Sequence, residues 1–73
     1  MPRVEIESEV TGRVWKVQVK PGDSVSQGDV LIIFESMKME IPLESPVAGR
    51  VSELLATLED TVDEGQIVVV LDT

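Results

Sequence analysis

Shifted by 37 positions, the chain aligns on itself without a gap, residues 2–36 falling on residues 39–73. Nine of these pairs are identical: Glu7/Glu44, Ser8/Ser45, Val10/Val47, Gly12/Gly49, Arg13/Arg50, Val14/Val51, Asp23/Asp60, Val25/Val62 and Gly28/Gly65. Average composition gives roughly two identities by chance. The apolar positions also coincide, as in Val4/Ile41, Ile6/Leu43, Val17/Leu54, Val30/Ile67 and Phe34/Leu71. Two related halves of this size are each too short to bury a core of their own. They must share one. The repeat therefore predicts a single domain over 1–73, built from repeats 1–36 and 38–73, each completing the other's core.

Inside each half the period is that of strands. Val4 and Ile6 alternate with Glu5 and Glu7. Val14, Val17 and Val19 sit among polar residues with one break in phase, the mark of a bulge. Val30, Ile32 and Phe34 form one face and Leu31 and Ile33 the other, a β-branched run that reads as a buried strand. Lys20-Pro21-Gly22-Asp23 is a turn, with proline presetting φ at its second position and glycine accepting positive φ at its third. Gln27-Gly28-Asp29 and Glu64-Gly65-Gln66 mark matching turns. Residues 52–64 pull locally toward a helix, through Glu53, Leu54, Leu55, Ala56, Leu58 and Glu59. Their repeat partners include Val17, Val19, Pro21 and Gly22, which do not suit one. The repeat decides for strand, turn, short strand. About eight short strands in two related sets of four predict an all-β fold, a small sandwich or flattened barrel.

Composition narrows the function. The chain has neither histidine nor cysteine, so it lacks the commonest general base, the thiolate nucleophile and the commonest metal ligands. Neither a catalytic residue nor a metal ligand is assigned. Glu35 and Glu40 read as a solvated surface pair rather than as acid/base catalysts. A formal charge of −8 repels phosphate backbones and anionic lipids, which argues against nucleic acid and membrane partners. The longest apolar run, Val30 to Phe34, is far too short to span a bilayer. The first residues alternate charged and apolar side chains, unlike a signal peptide, so the chain is expected to be cytoplasmic.

The point between the repeats is where the pattern breaks. Met37 has no repeat partner, and Lys38 aligns with Met1. A hairpin with Met37 and Lys38 at its tip sets Ser36 against Met39, Phe34 against Ile41 and Ile32 against Leu43, bringing the apolar pairs into register. Met-Lys is a poor choice for such a turn, where positive φ favours Asn-Gly or Asp-Gly. Glu35 also falls opposite Glu40, a like-charge pair. Several local rules fail together at one exposed place, which is how a functional site looks in sequence.

Glu35-Ser36-Met37-Lys38-Met39-Glu40 resembles the attachment motif of biotinyl carrier domains, whose usual form is Glu-Ala-Met-Lys-Met. Ser36 in place of alanine is a mild departure. The resemblance spans the chain: Gly12 to Val14, Gly22-Asp23, Val25, Gly28, Glu35, Pro46 and Gly49 to Val51 are similar to the family's spaced signature, and Glu59-Asp60, Val62 and Gly65 repeat it. The chain is thus identified as a member of the biotin/lipoyl attachment family, most similar to small stand-alone biotin attachment proteins. The resemblance implies two four-stranded antiparallel sheets with quasi-two-fold symmetry and biotin joined by an amide to Lys38. Glu35, Ser36, Met37, Met39 and Glu40 would be read by a biotin protein ligase acting from a biotinyl-adenylate. The loaded domain would then serve a biotin carboxylase and a carboxyltransferase as a swinging arm, catalysing nothing alone.

Two other carriers share this architecture. Lipoyl domains of 2-oxo acid dehydrogenases usually place aspartate before the lysine; Met37 stands there instead, so lipoate is the less favoured cofactor. An unmodified lipoyl-like scaffold needs no lysine at its tip. Some biotin carriers also carry a protruding insert between early strands. The gapless repeat leaves no room for one, because residues 20–25 match 57–62 in length. The chain reads either as an independent small carrier or as a domain cut from a longer one.

Overall fold

The computed structural model describes residues 2–73. Its eight strands are β1 (Arg3–Glu7), β2 (Gly12–Val17), β3 (Ser24–Val25), β4 (Val30–Ser36), β5 (Met39–Glu44), β6 (Gly49–Leu54), β7 (Thr61–Val62) and β8 (Ile67–Asp72). No helix occurs among the described residues. The strands form two four-stranded antiparallel sheets, ordered β1-β8-β6-β3 and β5-β4-β2-β7. Exchanging each strand for its repeat counterpart converts one order into the other. Each sheet thus takes two strands from each half.

The halves are bonded to each other reciprocally. Val14 N–H donates to Asp60 C=O and Val51 N–H to Asp23 C=O, both at 2.8 Å. Gly28 N–H donates to Ser45 C=O and Gly65 N–H to Ser8 C=O, again at 2.8 Å. Between the sheets lie Val14 with Val51, Val25 with Val62 and Phe34 with Leu71, all buried, together with Ile6, Leu31, Ile32, Leu43, Val68 and Val69. Ser8 and Ser45 are the buried polar side chains, and each hydroxyl donates to a carbonyl two residues on, Val10 and Val47, at 2.6 Å. Neither leaves an unpaired polar atom in the core, which would cost about 1–3 kcal/mol.

The break in phase along β2 is a slip in register against β4, between Val14 and Lys16, and β6 repeats it against β8 between Val51 and Glu53. Trp15 and Ser52 sit at these slips. In β4 simple alternation fails: Leu31 is as fully buried as Ile32 and Phe34. A slip against β5 between Val30 and Ile32 is responsible, since it shifts the phase of the side chains along the strand. The stretch with helical propensity forms β6 as far as Leu54, a turn, and β7. Pairing of β6 with both β8 and β3, and of Leu55 N–H with Val68 C=O, outweighs a propensity of a few tenths of a kcal/mol per residue.

The ends of the chain meet. Arg3 pairs with Asp72 in the β1–β8 ladder, and Thr73 N–H donates to Pro2 C=O at 3.0 Å. Met1, the position that aligns with Lys38, lies outside the described residues. From the β4–β5 turn, β5 leads away until Gly49 packs against Asp72 and Thr73. The turn and the paired chain ends therefore occupy opposite ends of a body measuring 36 × 18 × 17 Å.

Candidate functional site

β4 and β5 form a hairpin in which Ser36 faces Met39, Glu35 faces Glu40, Phe34 faces Ile41 and Ile32 faces Leu43. Only Met37 and Lys38 lie between the paired residues. Both have positive φ, 52° and 65°. A two-residue turn must adopt this conformation to match the twist of its strands. For side chains other than glycine it costs roughly 1–2 kcal/mol per residue. The two ladders that run into the turn hold it there.

The tip stands clear of the core. Met37 is 93% exposed and Met39 64%, and Lys38 and Glu40 are exposed too. Two unbranched thioether side chains in water flank one free amine. Glu35 and Ser36, one step below, are half-buried and tied to β2 and the segment before it. Ser36 Oγ donates to Thr11 C=O at 3.0 Å, and Thr11 Oγ1 accepts from Glu64 N–H at 3.1 Å. Arg13 Nη2 donates to Glu35 Oε1 at 2.9 Å across the β2–β4 ladder. Beneath them Gly12 lies so close that a Cβ would stand 2.6 Å from Glu35 O and 3.2 Å from Ser36 Cβ.

Lys38, Met37, Met39, Glu35, Ser36 and Glu40, the residues singled out in sequence, thus share one hairpin. What sequence reading left unassigned is the support beneath it. Arg13 answers the Glu35–Glu40 repulsion by placing a cation on Glu35. Thr11 and Gly12 let the base of the hairpin rest directly on β2. The repeat marked both, since Gly12/Gly49 and Arg13/Arg50 are identical, but the pairing of Arg13 with Glu35 needed the cross-strand register.

The hairpin presents a primary amine on a four-carbon stem, at a position fixed by the β4–β5 and β2–β4 ladders. The family model described as "Biotin-requiring enzyme" matches residues 3–71, and the chain belongs to this biotin/lipoyl family. Biotin is the cofactor of that family. Among relatives, the Biotin/lipoyl attachment protein of Bacillus subtilis is 51% identical over 35 residues, 48% of each chain. The Biotinylated protein TB7.3 homolog of Mycobacterium leprae is 46% identical over 39 residues, 53% of this chain and 55% of the other. These matches span about half the length of the curated relatives. The crystal structure of the Kluyveromyces lactis urea carboxylase contains the same fold, with a TM-score of 0.91 and 36% identity over 99% of this chain and 6% of that one.

Proposed function

We propose that Lys38 is the attachment point for biotin and that residues 1–73 act as one carrier unit with no catalytic group of its own. The observation that carries this reading is Lys38 at the strained, solvent-exposed tip, flanked by exposed Met37 and Met39, in a chain of the biotin/lipoyl family. The Lys38 amine would attack the activated carboxyl of biotin, forming an amide and releasing the activating group with its bonding electrons. Since the chain has no histidine or cysteine to accept the amine's proton, a partner biotin protein ligase must supply that base. Glu35, Ser36, Met37, Met39 and Glu40 would form the surface that the ligase reads. Once joined, biotin supplies a group that takes up and gives away carboxylate. The rigid hairpin holds the arm's root while the arm itself swings, which raises the effective concentration of biotin at two partner sites. Those partners would be a biotin carboxylase and a carboxyltransferase, in keeping with the likeness to a urea carboxylase. On this reading the work is done in the cytoplasm.

Intact-mass measurement after incubation with a biotin protein ligase, ATP and biotin tests this directly. One biotin should be added, and Lys38→Arg should abolish the addition, whereas Lys16→Arg and Lys20→Arg should leave it unchanged. Modification that persists in Lys38→Arg, or a lipoyl mass without a biotin mass, would overturn the assignment.

A further inference from the structure

The repeat supplies an internal control for surface residues: a side chain needed only by the fold should have a like counterpart in the other half. Among the described residues, four large apolar side chains are exposed: Met37, Met39, Leu55 at 51% and Leu58 at 59%. Met37 and Met39 belong to the tip. Leu58 stands where the first half has Pro21, in a turn that both halves need, and Trp15 stands where the second half has Ser52. Leu58, Trp15, Val14, Arg13 and Glu59 line one cleft. Backbone bonds fix it, since Glu59 N–H donates to Val14 C=O at 2.9 Å and Val14 N–H to Asp60 C=O at 2.8 Å. Trp15 is half-buried, with the Lys16 ammonium 4.8 Å from its ring centroid. The cleft is continuous with the hairpin, because Arg13, one of its walls, bonds Glu35 at the hairpin's base. The opposite end of the molecule has proline and serine at the same two positions and no such apolar pair.

We infer that the Trp15–Leu58 cleft is a second contact surface for the biotin protein ligase that acts on Lys38, an inference that rests on the reading above. Charge states what the partner must offer. Glu59 lines the cleft with Asp60 next to it in sequence, and Arg13 in the cleft wall is already paired with Glu35, on a chain of net charge −8. The matching surface has an apolar knob for the cleft, ringed by lysine or arginine. The ligase suits this place better than the carboxylase partners do. Before modification the amine reaches only as far as its own lysine stem, so the ligase must close onto the surface around the tip. The loaded arm is longer, and the later enzymes can work farther from the domain.

Steady-state biotinylation kinetics with purified ligase and the whole chain provide the test. Leu58→Ser should raise the KM for the carrier about fivefold or more with kcat unchanged, and Trp15→Ser should act in the same direction. Leu55→Ser removes an apolar group of similar exposure three residues away and should leave KM within twofold. Leu58 is exposed, so its variant is expected to fold even where Trp15→Ser does not; a thermal melt of each confirms it. A Leu58→Ser carrier with unaltered KM, or a Leu55→Ser carrier impaired equally, overturns the cleft while leaving Lys38 as the attachment point. An unmodified wild-type chain overturns both.

Discussion

Gly12 and Gly49 hold the same place in the two repeats, and the same obstacle surrounds each. A Cβ would stand 2.6 Å from the Glu35 carbonyl oxygen in one case and 2.7 Å from that of Asp72 in the other. Beyond these glycines the two ends part company. Past Gly12 lie the Arg13–Glu35 ion pair, the Ser36–Thr11 hydrogen bond and a closed turn carrying Lys38. Past Gly49 lie Arg50 and Asp72, which pair in register without a salt bridge, and the two ends of the chain. Close packing beneath the last strand residues is therefore a requirement of the fold, met twice. The ion pair and the turn with two positive φ angles occur at one end only, so the fold common to both ends does not require them.

Substituting the paired glycines separates these roles with the largest effect. Gly12→Ala and Gly49→Ala should each lower stability by about 1–3 kcal/mol, because the neighbour each would strike is backbone that cannot swing aside. Denaturant melts should show similar losses. Biotinylation of the folded fraction should fall only for Gly12→Ala, which displaces Glu35 and Ser36. Equal biotinylation of the two variants would mean that the hairpin's position tolerates movement of its base.

The turn itself offers the next step. Replacing Met37 with asparagine and Lys38 with glycine installs residues that accept positive φ, and should stabilise the domain by about 1–2 kcal/mol while removing the proposed attachment site. Equilibrium unfolding of the double variant measures the strain directly. A double variant no more stable than the parent would show that the hairpin holds Met37 and Lys38 without strain.

The smallest effect lies in the other pair of matched turns. Gly22 has a φ of 95°, and Glu59, its counterpart, has 71°. The fold demands positive φ at this point in both halves, yet only the first uses glycine. Glu59→Gly should gain about 0.5–1 kcal/mol, less than the relieved strain because glycine also frees the unfolded chain. A loss of stability in Glu59→Gly would mean that the Glu59 side chain contributes more than its backbone costs.

Much of this arrangement is legible in the chain. The gapless repeat, the period-two alternation and the glycine turns lead to eight strands in two sets, because apolar spacing and turn chemistry are local properties. The hairpin register also follows from local pattern, since only a two-residue turn sets Phe34 against Ile41 and Ile32 against Leu43. Residues 52–64 were legible only through their repeat partner, since their own propensities favour a helix and long-range pairing overrides it. Leu31 is buried as a strand apolar on both faces requires, but the slip in register that sets it beside Ile32 was not legible.

The amino-acid sequence alone determined the shared core, the strand order within each half and the lysine between the repeats. All rest on patterns among neighbours or on identity between positions a fixed distance apart. Tertiary structure alone decided which side chains meet across the sheets. Arg13 reaches Glu35 because β2 and β4 pair with one residue bulged out. Thr11 and Gly12 support Ser36 because the chain crosses beneath the hairpin. Trp15 and Leu58 share a cleft because β7, from the second half, pairs with β2, from the first. Contacts between residues distant in sequence depend on strand order and register together, and a shift of one residue in register sends every side chain of a strand to the other face.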